Sequence, residues 1–512
     1  MATESRTKKS LRNSVVSLIY FGIRFILNFY SRKVFLDYLG TEILGLNTTA
    51  VSILQFLNLA ELGIGTAVGF SLYKPIFNHD ENAINEIVSL QGHLYRRIAN
   101  LICIGSCVVM CFFPLIFKKA DLPLWYAYAS YLVLLYAALL GYYVNYRQIV
   151  LSAAQMDYKI QLSTNTWTIV KLVCQIIALQ KFSTPYIWWL GLEVFFTSTS
   201  AISLSIVTHR AFPFLRKSKL KYKELKFKYG DFITKIKQLF VHQIAAFALG
   251  QSASLVIYGF TNLTIVALYG NYLIIVNGIM SLMSAVFNSI GAGIGNLVAE
   301  GDKSHKLKVF NELFSLRFIV SSLIIFCLIT SGQAFITLWI GKKFLLPLSS
   351  LCLISLILFI RLNRFTVNNF INAHGLYKDI WAPIAEASIN IGLSVLFGYF
   401  WGLNGILAGV LVSLILIVDL WKPFFLFKEG MGHTAWLYFR MYGVHILCGV
   451  LAAFITFFSV SLLSFSPESS WMSLISYTLI MACIYTLCLT LLLFLFKTGI
   501  RDFLYRINLI KK

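Results

Sequence analysis

The chain has 512 residues, of which 58% are hydrophobic and only 12% are charged, and its mean hydropathy is +0.76. This composition excludes an ordinary soluble globular protein and predicts lipid as the solvent. The formal net charge of +22 does not require nucleic acid as a partner, because the cytoplasmic loops of membrane proteins collect Lys and Arg.

Apolar runs of about 20 residues or more recur along the whole chain, and each can cross a bilayer as an α-helix. The connections between them are short, and the runs lack the ten-residue alternation that is typical of β-barrel strands. We therefore predict an all-α integral membrane protein with about 14 transmembrane helices. The predicted spans cover roughly residues 13–35, 46–73, 94–117, 122–153, 160–181, 185–208, 236–260, 263–298, 309–340, 345–373, 380–400, 403–427, 441–463 and 472–496.

The chain begins with a basic segment that ends at Arg12 and leads into the first apolar run. That run contains Arg24 and no small-residue cleavage site, so we interpret it as a first helix rather than a cleavable signal. The connection over 209–237 is rich in Lys and Arg, as cytoplasmic segments are. An even number of spans with both termini in the cytoplasm satisfies this bias along the whole chain.

Short words of the first half recur in the second half, in the same order and at nearly constant offset. The offset falls from 230 residues between Gly63 and Gly293 to 219 residues between Tyr158 and Tyr377. We predict a duplicated unit of six helices with both copies in the same orientation, since six is an even number of spans. The recurring words are Gly63–Val68 with Gly293–Val298, Asn85–Leu90 with Asn311–Leu316, Lys118–Leu124 with Lys342–Leu348, and Tyr158–Lys159 with Tyr377–Lys378.

The duplication predicts how the chain is organised. Residues 1–208 are the N-terminal six-helix bundle, and residues 236–430 are the C-terminal six-helix bundle. Residues 209–235 form a basic cytoplasmic linker between the two bundles. Residues 431–512 add two further transmembrane helices and a basic tail.

We single out five cations that fall inside predicted spans, where a charge near the bilayer centre costs about 2.5–3.5 kcal/mol on insertion scales. Arg24 lies roughly 14 Å from the near end of its span, which is too far for its side chain to reach water comfortably. Pairing within the protein is one explanation for these cations. Phosphate or pyrophosphate of an anionic ligand is the other, because Arg can bind two of its oxygens at once. The candidate substrate-binding cations are Arg24, Arg147, Lys171, Arg361 and Arg364.

Four acidic residues lie at comparable depth in the predicted spans. Their carboxylates either pair with those cations or bind a coupling proton or sodium ion, and the sequence leaves both interpretations open. The candidate ion-coupling residues are Glu61, Glu193, Glu386 and Asp419.

Several kinds of chemistry lack their sequence motifs. No phosphate-cradling Gly-x4-Gly-Lys-Ser/Thr string occurs, so we expect neither an ATPase site nor a cofactor. The nine cysteines all lie in predicted spans and the histidines do not cluster, so we expect no disulfide and no metal site. The short outside loops argue against a membrane enzyme.

Short blocks along roughly residues 10–430 carry a family resemblance. They are Tyr38–Asn47, Glu61–Gly65, Ser71–Pro75, Tyr269–Tyr272, Phe335–Gly341, and Gly375–Pro383 followed by Glu386, Asn390 and Ser394. Together these blocks resemble the polysaccharide flippases (Wzx-like) of the multidrug/oligosaccharidyl-lipid/polysaccharide exporter superfamily.

The resemblance implies a MATE-like fold with two pseudo-symmetric six-helix bundles around a cation-lined cavity. It further implies a secondary-active flippase, not an enzyme, in a bacterial inner membrane. Such a protein carries an undecaprenyl-pyrophosphate-linked oligosaccharide repeat unit outward by alternating access, for O-antigen, lipopolysaccharide, capsule or another exopolysaccharide. The implied partners are this saccharide, membrane lipid, a proton or sodium ion, and other polysaccharide assembly proteins, but not nucleic acid. The alternatives are a cation-coupled exporter of drugs or other lipid precursors, and a membrane enzyme of glycan polymerisation.

Overall fold

The computed structural model describes residues 6–58, 64–230, 253–288, 294, 297–298, 302–376, 378–379, 381–461 and 466–506. Within these ranges every regular element is a helix. Ten of the described helices are long and apolar enough to cross a membrane. The chain is therefore a multi-pass α-helical membrane protein, and the predicted fold class is confirmed.

The chain divides into two compact units, Met1–Ala267 and Leu268–Lys512. The first unit contains α1 (Arg6–Leu57), α2 (Ile64–Phe77), α3 (Glu81–Cys111), α4 (Phe113–Ile116), α5 (Trp125–Tyr143), α6 (Ile149–Ala153), α7 (Asp157–Lys181), α8 (Pro185–Ala211) and α9 (Tyr222–Lys228). The unit boundary falls near the start of α10 (Leu263–Asn288). The second unit continues with α11 (Lys303–Trp339), α12 (Leu348–Ala373), α13 (Trp381–Leu414), α14 (Lys422–Phe425), α15 (Ala435–Ser461), α16 (Trp471–Leu495) and α17 (Gly499–Arg506).

The helix α13 consists of two arms that turn at Gly402, whose φ of +54° lies in the left-handed region that glycine tolerates. The second arm continues beyond α13 through the π-helical turns Ile415–Trp421 and Leu426–Met431. The two arms approach closely, because a Cβ atom at Gly405 would lie only 2.0 Å from the carbonyl oxygen of Phe397. They match the predicted spans 380–400 and 403–427.

The predicted span 122–153 is interrupted in the structure. The helix α5 ends at Tyr143, and the chain forms a 3₁₀ turn over Asn145–Gln148 before α6 begins. The local sequence Tyr142–Tyr146 consists of aromatic, β-branched and Asn residues, all of which are mediocre helix formers. The predicted span 236–260 lies mostly outside the described residues.

The second unit packs around an aromatic core. Phe310, Phe314 and Phe318 recur every four residues along α11, so they share one helix face, and each is at most 2% exposed. Phe370 of α12 and Tyr438 of α15 contact the ring of Phe310. This core holds the first of the two C-terminal helices against the long helix α11.

In each unit an ion pair joins a segment later in the chain to the start of a long helix. In the first unit the Glu86 carboxylate of α3 accepts hydrogen bonds from Lys228 Nζ and Tyr229 Oη, both at 2.7 Å. In the second unit Glu312 of α11 forms an ion pair of 3.0 Å with Arg506 of α17. Glu86 and Glu312 occupy the same place in the recurring words Asn85–Leu90 and Asn311–Leu316.

Candidate functional site

Two of the predicted cations lie on one helix of the second unit. Arg361 and Arg364 follow one another at i, i+3 on α12, which places them on the same side of the helix. Arg361 is roughly 18–20 Å from either end of α12 at 1.5 Å per residue, so it cannot reach bulk water by snorkelling. Its charge must be balanced inside the protein.

The balancing carboxylate is Glu386, on the first arm of α13. Its side chain is only 2% exposed, and its Oε1 atom lies 3.9 Å from Nη1 of Arg364. That separation is too long for a hydrogen bond, and Oε1 has no hydrogen-bond partner among the described residues. The Arg364 side chain remains 28% exposed, so its guanidinium is still accessible to a ligand.

A third cation joins this pair from the second arm of the hairpin. Lys422 interacts electrostatically with Arg364, Glu386 and Asp379, and Arg361 interacts with Arg364 and Glu386. We call Arg361, Arg364, Lys422 and Glu386 the open cluster. Three cations thus interact with one buried carboxylate, and even with Asp379 included the cations are in excess. Such a cluster can accept a further anion.

The first unit contains a different arrangement, which we call the closed pair. Lys171 of α7 donates to Oε1 of Glu193 of α8 at 2.6 Å, and Gln175 donates to the other carboxylate oxygen at 2.9 Å. The two charged side chains are 19% and 16% exposed. Both charges and both carboxylate oxygens have partners, so the structure favours a structural role for Lys171 and Glu193.

Arg24 lies on a polar seam between α1 and α7. Its Nη1 donates to Oδ1 of Asn165 at 2.8 Å, and one turn earlier the hydroxyls of Tyr20 and Thr166 are 2.6 Å apart. Asn13 closes the seam by accepting from the backbone N–H of Tyr158. These polar residues of α1 therefore contact the neighbouring helix α7, although the Arg24 side chain stays exposed.

Arg147 belongs to the 3₁₀ turn after α5. Its Nε donates to the hydroxyl of Tyr146 at 3.3 Å. Arg147 lines a cavity of about 110 Å³ together with Thr208 and His209 near the C-terminal end of α8.

The two remaining acidic candidates have different outcomes. Asp419 lies in the π-helical turn Ile415–Trp421, and its carboxylate accepts from the hydroxyl of Tyr442 at 3.2 Å. Glu61 lies outside the described residues.

No group of three or more His, Cys, Asp or Glu side chains suited to a metal ion occurs in the part of the chain that the structure describes.

Two cations that make intramolecular interactions in the structure, Lys422 and Arg317, are absent from the predicted site residues. Lys422 lies near the cytoplasmic end of its predicted span, where Lys is ordinary, so its proximity to Glu386 has no signal on its own helix. Arg317 of α11 is 3% exposed and donates to Thr366 Oγ1 at 3.3 Å and to the Phe287 carbonyl at 3.4 Å. Because Phe287 belongs to the last turn of α10, Arg317 compensates the negative end of that helix.

Comparisons with known proteins bear on the fold. No protein-family model matches the sequence, and no curated protein sequence matches it. A structure of the lipid II flippase MurJ in an inward closed conformation is similar, with a TM-score of 0.62 and 15% identity over 96% of this chain and 99% of that chain.

Multidrug transporters give a second set of similar structures. An inward-facing multidrug resistance MATE family transporter of the MOP superfamily has a TM-score of 0.56 at 13% identity, covering 82% of this chain and 98% of that chain. An outward-facing structure of such a transporter has a TM-score of 0.52 at 13% identity, over 83% and 96% of the two chains. At this identity the likeness establishes a shared fold.

Proposed function

We propose that this chain is a flippase for a lipid-linked saccharide whose anionic group binds the open cluster. The substrate in this proposal is an undecaprenyl-pyrophosphate-linked oligosaccharide repeat unit. It moves from the cytoplasmic to the outer face of a bacterial inner membrane by alternating access, coupled to a proton or sodium gradient. The chain makes and breaks no bond of the substrate.

The observation that carries the proposal is the imbalance at Glu386. Three cations share one carboxylate that none of them holds at hydrogen-bond distance. Opposite charges 4 Å apart attract by about 4 kcal/mol at an effective dielectric constant of about 20, so an anion that enters among these cations is stabilised. A pyrophosphate brings two phosphate groups, and the guanidinium of Arg364 matches the spacing of phosphate oxygens.

The fold supports the same class of function. Proteins named as a lipid II flippase and as multidrug transporters share this architecture. A transporter of cationic drugs needs acidic groups to bind its substrate, whereas the open cluster has an excess of positive charge. The sign of the cluster therefore favours the lipid-linked anion over the drug-export alternative.

The test is a flipping assay with the purified full-length protein in liposomes. The probe is undecaprenyl-pyrophosphate-linked oligosaccharide with a fluorophore on the sugar, and a membrane-impermeant quencher reports which leaflet holds it. Wild type should equilibrate the probe between leaflets. Arg364→Gln should slow this by about tenfold or more, because a hydrogen bond to a charged group contributes about 1.5–3 kcal/mol.

Lys342→Gln is the matched control, because it removes a cation whose side chain is 74% exposed and paired with Glu468 on the surface. It should flip the probe at the wild-type rate. Failure of wild type to flip the probe rejects the proposed function, and a wild-type rate in Arg364→Gln rejects the open cluster as the site. Transport of a cationic dye or a change in glycan chain length would favour the exporter or the polymerase alternative.

A further inference from the structure

The first unit contains a polar cavity that the open cluster does not use. It measures about 260 Å³ and lies between the C-terminal end of α1, the helices α3 and α5, the 3₁₀ turn that follows α5 and the start of α6. A single water needs only about 10–15 Å³ of such space, so the cavity is large enough for a small organic group. Its described lining is Asn58, Gln91, Tyr95, Ala137, Ala138, Gly141, Tyr142, Tyr146, Gln148 and Ile149.

The lining has a definite chemical character. Its polar groups are three amides and three phenols, and none of the described lining residues is charged. Amides and phenols can both donate and accept hydrogen bonds, as sugar hydroxyls do. The tyrosines also offer ring surface, and the Tyr95 and Tyr142 rings meet edge to face at 5.4 Å. The adjoining cavity of about 110 Å³ shares Gln148 but is lined by Arg147.

One buried group in the cavity lacks a partner. Gln91 is 1% exposed, and its side-chain oxygen has no hydrogen bond within the described structure. Leaving a buried acceptor unsatisfied is costly, so such an atom indicates a missing donor. The neighbouring acceptor Asn58 Oδ1, by contrast, accepts from the Tyr142 hydroxyl at 3.3 Å.

The cavity wall is shaped to hold the Tyr146 ring in place. A Cβ atom at Gly92, one residue after Gln91, would lie 2.9 Å from Cε2 of Tyr146. Only glycine at this position lets the ring pack directly against α3. Asn58, Tyr146 and Gln148 are each partly exposed, so the cavity is not sealed.

We propose that this cavity binds one uncharged, hydroxyl-rich sugar residue, with the Gln91 side-chain amide contributing a hydrogen bond to a sugar hydroxyl. This inference rests on the proposed function and adds to it a saccharide subsite within the first unit. The charged and uncharged parts of the substrate then have separate recognition sites. The open cluster selects the anion, and the amide and tyrosine cavity selects the sugar.

The test compares two lipids that differ only in the sugar. The probes are undecaprenyl pyrophosphate and undecaprenyl-pyrophosphate-linked N-acetylglucosamine, and their dissociation constants are measured with the full-length protein in nanodiscs. Gln91→Leu should weaken binding of the sugar-bearing lipid about tenfold and leave binding of the sugar-free lipid unchanged. The fold should tolerate this change, because it removes an unsatisfied buried polar group.

A second variant and a control keep the test independent of Gln91. Ala138→Leu adds volume to the α5 wall of the cavity and should produce the same selective loss. Gln333→Leu is the control, because it removes an amide of the second unit that donates to the Leu346 carbonyl, and it should bind both lipids as wild type does. Size-exclusion chromatography checks that each variant is folded.

The outcomes separate the two proposals. Selective loss for the sugar-bearing lipid supports the subsite. If both cavity variants bind both lipids with wild-type affinity, the cavity holds only water and the inference is overturned. The inference is also overturned if the variants weaken binding of both lipids equally. In either case the flippase proposal stands if Arg364→Gln weakens both lipids. If wild type binds neither lipid, the proposed function fails and the subsite fails with it.

Discussion

The closed pair of the first unit and the open cluster of the second are built from the same kinds of side chain. Lys171 and Glu193 are hydrogen-bonded at 2.6 Å, with Gln175 on the second carboxylate oxygen. Glu386, in contrast, lies 3.9 Å from the nearest nitrogen of Arg364 and has additional cations around it. A matched pair stabilises a helix contact, whereas an unmatched cluster retains the ability to bind an anion.

The comparison shows that an intramembrane charge is not by itself evidence of a binding site. Lys171 and Arg364 both lie inside predicted spans, and both are expensive to bury. What separates them is the number and distance of opposite charges on neighbouring helices. The charge balance around each carboxylate is therefore the quantity that mutations should test.

The largest expected effect is the loss of the carboxylate from the closed pair. Glu193→Leu leaves the ammonium of Lys171 without its partner, and breaking such a buried pair costs about 3–5 kcal/mol. The double variant Lys171→Leu/Glu193→Leu removes both charges and should recover most of this stability and the flipping activity. Thermal unfolding of the purified variants measures the first effect, and the liposome assay measures the second.

The double variant shows whether the closed pair has only a structural role. If Lys171→Leu/Glu193→Leu is stable but inactive, the closed pair has a functional role and the contrast with the open cluster fails. If Glu193→Leu alone is as stable as wild type, Lys171 has another partner.

The next effect concerns the hairpin that brings Lys422 to Glu386. Gly405→Ala places a methyl group 2.0 Å from the Phe397 carbonyl, so the two arms must separate. Overpacking of this kind costs about 1–3 kcal/mol, and it should weaken the binding of undecaprenyl pyrophosphate because the open cluster spans both arms. Gly443→Ala is the control, since nothing lies within 4 Å of its added Cβ. Equal unfolding temperatures for the two variants would show that the close approach is unimportant.

The sequence predicted the fold better than it predicted the site. Apolar runs long enough to cross a bilayer leave few alternatives to helices, and the described helices follow the predicted spans. The i, i+3 spacing of Arg361 and Arg364 places them on one face of α12. It could not show which residues of other helices meet that face, because spacing carries no information on the packing partner.

A usable signal for one pairing was nevertheless present. Lys171 lies ten residues before the end of α7 at Lys181, and Glu193 lies eight residues after the start of α8 at Pro185. Residues at similar distances from a tight helical turn lie at similar depths, here within about 3 Å at 1.5 Å per residue, so this pair could have been predicted from the two connected helices. The helix interruption at Asn145–Gln148 is indicated in the sequence only by residues of low helix propensity. Tertiary packing often overrides such a weak preference, so the interruption could not be predicted.

A smaller effect is expected when the carboxylate of the open cluster is neutralised. Glu386→Gln removes the internal competitor for Arg364 and leaves its volume unchanged. The affinity for undecaprenyl pyrophosphate should rise about tenfold, which corresponds to about 1.4 kcal/mol, while flipping slows because release becomes harder. Glu468→Gln, on a surface residue with a 47% exposed side chain, is the control. Weaker binding by Glu386→Gln would mean that the carboxylate positions the cations instead of competing with the ligand.

The smallest effect is expected outside the membrane, where water screens the charges. Lys228 is 55% exposed in its pair with Glu86, so Lys228→Gln should cost only about 0.5 kcal/mol. Tyr229 continues to donate to the same carboxylate oxygen, and burial together with Glu86 raises the pKa of the Tyr229 phenol, which keeps its proton in place. Thermal unfolding of Lys228→Gln beside Lys228→Gln/Tyr229→Phe measures the two contributions. A large loss from Lys228→Gln alone would show that a water-exposed pair can be as important as the closed pair, and would remove burial as the reason for the difference between them.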